Sequence, residues 1–401
     1  MRLWFLEAIV IPLALILAMA FAFLAIHPTA MQSLVDQTRT LVGPEPIAAA
    51  ENVFYGVSDA YRKMTCGDCT TPGYWTPATP AQSAAQIATQ RTAAPSVAIS
   101  ASQTTTVATQ PPAPPIRFQP RDLAPLYPAL AAPGEGVWTT LPNSFDPSAA
   151  PLMYKTFLHS DPARPYARVA IVAIDATRLR LHAVAGTLEP VSAARVARSG
   201  LIPRTDLAAL VAAFNGGFKA IHGHYGMMVD GQTILPPQPN ADTIAIYRDG
   251  RVRIAPWSII SDTLPSMQSF RQTPAFLAYQ DQVNSALADE QLFSWGKSVS
   301  GKTVIWRSAL GISADGRTLY YAAGESLTAR RLAEALVAVG ASNAAELDVN
   351  WSFERFLTYA PPSGKLTEQV LLDRLHYQPG MYVVYPSARD YFYLTLAKAT
   401  K

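Results

Sequence analysis

Apolar and polar positions divide the chain into three textures. The first is Ala8 to Ile26, nineteen residues without a charge, with Trp4 and Phe5 just ahead of it. A run of that length can cross a bilayer as a helix, and aromatic residues at its border suit a membrane interface. Pro28-Thr29-Ala30 is a poor cleavage site, so the segment is read as an uncleaved anchor with the bulk of the chain outside the cytoplasm. A short helix is expected from Ala48 to Met64, where Val53, Val57 and Tyr61 recur at four-residue spacing.

The second texture runs from Thr70 to Ile116, where Arg91 is the only charge and Pro, Ala, Thr, Ser and Gln dominate. Such a stretch cannot build a core and reads as a disordered linker. Its reach is roughly 40 Å as a coil and at most about 145 Å as polyproline II, which would hold a domain clear of a membrane. From Arg117 to Pro151, Leu123, Leu126, Tyr127, Val137 and Trp138 suggest a strap lying on a domain surface.

The third texture begins near Met153: short apolar runs punctuated by Asp-Gly. Ala167 to Asp175 and Arg178 to Val184 read as strands. Asp230-Gly231, Asp249-Gly250 and Asp315-Gly316, each between apolar or β-branched residues, predict three hairpins and hence a largely antiparallel sheet. Helices are expected over Ser192 to Ser199 and over Thr328 to Val339, the latter capped by Thr328 and stopped by Gly340. The fold class that follows is α+β: a twisted, mainly antiparallel sheet with flanking helices. The segments are 1–30 as a transmembrane anchor, 31–69 as a stalk, 70–150 as linker and strap, and 151–401 as the folded domain.

Composition narrows the partners. Lys and Arg number 32 against 29 Asp and Glu, a net charge of +3, and no basic run with interleaved aromatics occurs, so nucleic acid is not expected as a partner. The two cysteines, Cys66 and Cys69, stand in a C-x-x-C. Zinc would need two more ligands nearby; a small-loop disulfide in an oxidising compartment is the simpler account, and a redox dithiol the sharper alternative.

Candidate chemistry clusters in the C-terminal half. Phe214-Asn215-Gly216-Gly217-Phe218 places two glycines where a strand would ordinarily lose stability, implying positive φ, close approach of a ligand or second backbone, or simply a tight turn. Arg307 interrupts the apolar run Thr303 to Gly311; a buried guanidinium needs an anion or an internal carboxylate. Strand alternation puts Glu346, Asp348 and Asn350 on one face. His222 and His224 would share a side if extended, but a metal would need a third ligand such as Asp230 or His182, and lone histidines are more often polar packing. No metal and no cofactor is assigned.

The order of these elements, Asn-Gly-Gly-Phe, Arg-Ser-Ala-Leu-Gly, the Asp-Gly-Arg hairpin, the helix ending at Gly340 and the Leu347-Asp348 strand, resembles the phosphodiester glycosidase domain over roughly Ala167 to Tyr385. The resemblance implies hydrolysis of a sugar-1-phosphate phosphodiester in an envelope or extracellular glycan. It implies that Asn215, Arg307 and Asp348 carry catalysis, Arg307 by holding phosphate, with Gly216 and Gly217 lining the site; Glu346, Asn350, His222 and His224 are candidate substrate contacts beside them. Where the family typically reads Leu-Asp-Gly-Gly-Gly-Ser, this chain has Leu347-Asp348-Val349-Asn350-Trp351-Ser352. The alternative is therefore a catalytically silent glycan-binding or envelope polysaccharide assembly module on the same fold.

Overall fold

The computed structural model describes residues 37–38, 41, 44–66, 118–141, 145–146, 148–287, 302–349, 353–360, 367–371 and 378–397. The expected anchor Ala8 to Ile26, the linker, Cys69 and Asn350 to Ser352 lie outside them. Among the described residues no helix is long and apolar enough to cross a membrane.

The strands in chain order are β1 (Thr139–Leu141), β2 (Met153–Leu158), β3 (Val169–Asp175), β4 (Leu179–Val184), β5 (Leu210–Asn215) and β6 (Met227–Val229). Then come β7 (Gln232–Leu235), β8 (Asp242–Tyr247), β9 (Val252–Pro256), β10 (Met267–Thr273), β11 (Ala278–Tyr279) and β12 (Gln282–Val283). The last six are β13 (Ile305–Ile312), β14 (Thr318–Leu327), β15 (Asn343–Glu346), β16 (Phe356–Ala360), β17 (Thr367–Val370) and β18 (Tyr391–Leu396). Helices are α1 (Pro44–Thr65), the single turn α2 (Trp257–Ile260) and α3 (Ala329–Ala338).

They form an eight-stranded sheet, β1-β2-β3-β14-β13-β15-β11-β12, and two five-stranded sheets, β7-β6-β10-β8-β9 and β17-β16-β5-β18-β4. Every pairing between the named strands is antiparallel. The expectation of a mainly antiparallel α+β fold is met among the described residues, but in three sheets rather than one and with few helices. Each Asp-Gly pair closes the hairpin it predicts: β6–β7, β8–β9 and β13–β14.

Strand β3 shows why the large sheet is central. Its seven residues are all buried. Ala170, Val172 and Ile174 face one apolar cluster with Phe214, Phe356 and Phe392, while Val169, Ile171 and Ala173 face another with Leu332, Ala335 and Leu336 of α3. A strand covered on both faces needs an unbroken apolar run, and that is what its sequence supplies. Phe214 of β5 is the hub of the first cluster, with ring centroids 5.7 Å from Phe356, 5.5 Å from Phe392 and 5.3 Å from Tyr321. This stack fixes β5, β16 and β18 against β14, and the ends of these strands carry the site.

One local expectation is corrected. Residues 192–199 form no helix: the Ser192 hydroxyl donates to the Ile234 carbonyl and accepts from Ala194 N, local bonds that compete with a helical ladder. A 3-10 segment, Arg204–Ala209, leads into β5. Helix α1 forms over the expected stretch, with Val53, Val57 and Tyr61 69%, 66% and 67% exposed. The docked face is polar instead. Asp59 pairs with Arg164 and Lys63, and Arg62 with Glu325 and Ser326. The strap does lie on the domain: Phe118, Leu123 and Trp138 pack against the α3 side of the large sheet.

Candidate active site

Strand β5 ends on Asn215, buried at the crossing of four segments. Its amide donates to Ser308 Oγ at 2.9 Å, and its Oδ1 accepts from the Tyr321 hydroxyl at 2.9 Å and from Arg355 N at 3.2 Å. Those bonds tie β5 to β13, β14 and the entry to β16. Both ends of the Asn215 amide are engaged by protein groups, so the side chain is held in one orientation at the corner.

The two glycines are explained by what approaches them. Neither has positive φ. A Cβ on Gly216 would overlap the carboxylate and carbonyl of Asp390, and one on Gly217 would come 2.9 Å from Arg271 Cζ. Gly216 N donates to the Asp390 carbonyl at 3.0 Å and Gly217 N to Asp390 Oδ2 at 2.8 Å. Asp390 in turn holds Arg271 Nε at 2.8 Å, and Arg271 donates further to the carbonyls of Phe218, Tyr225 and Gln272. Side chains in these two positions would push the start of β18 off the end of β5.

Asp348 sits on the other side of the same corner. Its N donates to the Gly216 carbonyl at 3.0 Å, and its carbonyl accepts from Ser308 Oγ at 2.7 Å. Its carboxylate is paired with Arg389, which also donates to the Gly217 carbonyl at 3.2 Å and lies 4.6 Å over the Phe353 ring. Both residues are nearly closed off, 4% and 5% exposed, and among the described residues Arg389 Nε has no hydrogen-bond partner. Burial pushes the Asp348 carboxyl above the ordinary aspartate range; Arg389 and then His222 pull it back, and Asp390 adds repulsion. The outcome is a carboxylate and a guanidinium held together in a dry corner, flanked by a second such pair.

The other expected site residues fall elsewhere. Arg307 is committed within the protein: it pairs with Glu346 and donates to the Leu327 carbonyl at 3.0 Å and the Thr303 carbonyl at 2.9 Å. The internal ion pair, one of the two readings open for a buried arginine here, is the one observed, and Glu346 is its carboxylate. His222 closes a 3-10 turn and feeds the electrostatics of Asp348. His224 is exposed with φ of 52° after Gly223 at 149°, so this segment is not extended and the shared-side expectation fails. His182 is stacked on Tyr393 and bonded to Thr395. Asn350 lies outside the described residues. Among the described residues no group of three or more His, Cys, Asp and Glu is placed to hold a metal.

Sequence reasoning missed Arg271, Ser308, Arg389 and Asp390. Arg271 carried no such signal as Arg307 did, because its strand, Met267-Gln268-Ser269-Phe270-Arg271-Gln272-Thr273, is mostly polar. Arg389-Asp390 carried a weak one, a charged dipeptide abutting the aromatic strand Tyr391-Phe392-Tyr393. Two cavities among the described residues lie away from this corner. One, of about 280 Å³, is bounded by α1, Glu325 and Val349; the other, of about 250 Å³, lies under residues 196–203.

Residues 208–348 match the family model described as phosphodiester glycosidase, the family that the order of motifs resembles. Asp348 is the last matched residue. No curated protein matches the chain. Among solved structures it aligns with the zebrafish N-acetylglucosamine-1-phosphodiester alpha-N-acetylglucosaminidase catalytic domain, auto-inhibited by its pro-peptide, at 13% identity and a TM-score of 0.40, covering 63% of this chain and 85% of that one. A hypothetical protein from Synechocystis aligns at 13% identity and a TM-score of 0.32, covering 61% and 62%.

Proposed function

We propose that the chain is a membrane-anchored, exported hydrolase that cleaves sugar-1-phosphate phosphodiester linkages in an envelope or extracellular glycan. The observation that carries this reading is the Asp348–Arg389 pair at the Asn215-Gly216-Gly217 corner. Cleavage breaks the bond between the anomeric carbon and the phosphate oxygen; water adds to the carbon and the phosphate departs as a monoester. Positive charge grows on the sugar ring, which a nearby carboxylate stabilises, and negative charge grows on a leaving group that needs neutralisation more than a proton. Asp348 is assigned the first task. Arg389, with a buried Nε lacking a partner among the described residues, is assigned the phosphate in place of Arg307.

One observation favours the second reading, a glycan-binding module without turnover. Asp348 and Arg389 are almost entirely covered, and Val349 stands where the family typically has glycine. The full-length chain in detergent, given a chromogenic sugar-1-phosphodiester and the neutral glycoside of the same sugar, decides between them. Turnover is expected for the phosphodiester. Arg389→Lys, which keeps charge but loses the planar fork, should lower kcat/KM about 10–100-fold on it. Affinity for an anionic glycan without turnover selects the binding module, and absence of both rejects the site.

Membrane attachment and export are part of this proposal and rest on the apolar run Ala8 to Ile26. Alkaline phosphatase fused after Thr400 should be active and should sediment with membranes. An inactive or soluble fusion rejects the topology.

A further inference from the structure

Glu354 precedes β16 and is 0% exposed, and among the described residues neither of its carboxylate oxygens has a hydrogen-bond partner. No role in the site has been given to it so far. The backbone brings it to the Asp348 corner: Asn215 donates to Ser308 Oγ, which bonds the Asp348 carbonyl, and accepts from N of Arg355, the residue after Glu354. Asp348 and Glu346 in and just beyond β15, Arg307 of β13, and Glu325 and Tyr321 of β14 act on it electrostatically. Arg307, the cation in this set, is already joined to Glu346 and two carbonyls. A carboxylate with no donor in a dry site is strongly disfavoured against the neutral acid. Asp348 differs in one respect that matters: Arg389 lies on its carboxylate.

We propose that Glu354 and Asp348 form one carboxyl pair carrying a single negative charge, with Asp348 ionised on Arg389 and Glu354 holding the proton. Two buried carboxyls in one neighbourhood cannot both ionise cheaply, and the difference in their partners decides which one does. Burial first, and Asp348 second, hold the Glu354 carboxyl well above the ordinary glutamate value of 4.5. For function, the inference rests on the hydrolase reading: the neutral Glu354 keeps the charge of Asp348 at the corner where a sugar ring would need it. Ionisation of Glu354 would set the alkaline limit of the site.

The sign of the linkage makes this measurable without catalysis. A group that binds its proton more tightly in the fold contributes stability that is complete below its unfolded value and is lost as pH rises through the folded one. From the ordinary glutamate range up to the raised folded value, unfolding therefore releases one proton from Glu354, and the unfolding constant rises about tenfold per pH unit on its account. In urea unfolding of the full-length chain in detergent, Glu354→Gln should remove that component of the slope, since the amide is neutral and of similar shape. Asp348→Asn, which deletes the facing negative charge, should make the slope end at a lower pH. Parallel pH dependence in wild type and Glu354→Gln, or no change in Asp348→Asn, overturns the pair. On a chain that turns over a sugar phosphodiester, Glu354→Gln should move the alkaline limb of kcat/KM to higher pH, and an unmoved limb overturns the coupling to Asp348. If the slopes behave as expected while wild type hydrolyses no phosphodiester, the pair stands and the hydrolase reading falls by itself.

Discussion

Arg271→Met should destabilise the folded domain by about 3–5 kcal/mol, because it leaves the Asp390 carboxylate buried without its cation. The pair is 0% and 1% exposed at its side chains, so water cannot replace the missing partner. Asp390 is also the group around which Gly216 and Gly217 fold, accepting Gly217 N at 2.8 Å. Its loss of alignment would propagate into the register between β5 and β18. Pairing the change with Asp390→Asn tests the cause: the amide removes the uncompensated charge yet can still accept from Gly217 N. The double variant should recover more than half of the lost stability in urea unfolding. If the two single effects simply add, the pair is not coupled and the corner is held by packing alone.

The same pair explains what was and was not legible in the sequence. Hairpins were legible because Asp-Gly acts locally, and all three close as expected. Helix α3 was legible because its period and cap are local too; Thr328 accepts from Arg331 N at 3.3 Å. Of the readings open for the two glycines, close approach is the one observed, and a group that approaches them is a side chain 173 positions after Gly217. Nothing near Gly217 announces Asp390. Helix α1 shows a limit of periodicity: it located the helix, but not the docked face, which is fixed by ion pairs to Arg164 and Glu325. Arg307 shows a third: a buried arginine signals a charged partner, and sequence cannot say whether that partner is protein or ligand. Here Glu346 is on the neighbouring strand, where Ala309 pairs with Glu346 in the β13–β15 ladder, and the carboxylate reaches back to the arginine.

Asp348→Asn should lower kcat on a sugar-1-phosphodiester by about 10²–10³-fold, the scale for removing one preorganised charge from a developing transition state. The change nearly preserves shape, so the backbone bonds of Asp348 to Gly216 and Ser308 need not move. What changes is Arg389, which loses the carboxylate that neutralises it and becomes a stronger site for an anion. Turnover and affinity should therefore separate: kcat falls, while binding of a sugar 1-phosphate holds or tightens. A carboxylate serving only to keep Arg389 in place would give the opposite pattern, weaker binding in proportion to lost turnover. The pH profile adds a second discriminator. Burial raises the Asp348 carboxyl above the ordinary aspartate range, so wild-type activity should fall as pH drops through that raised value, when the carboxylate takes up its proton. The residual activity of Asp348→Asn should lack this acid limb; if the limb persists unchanged, another group carries the charge and Asp348 is displaced from the centre of the site.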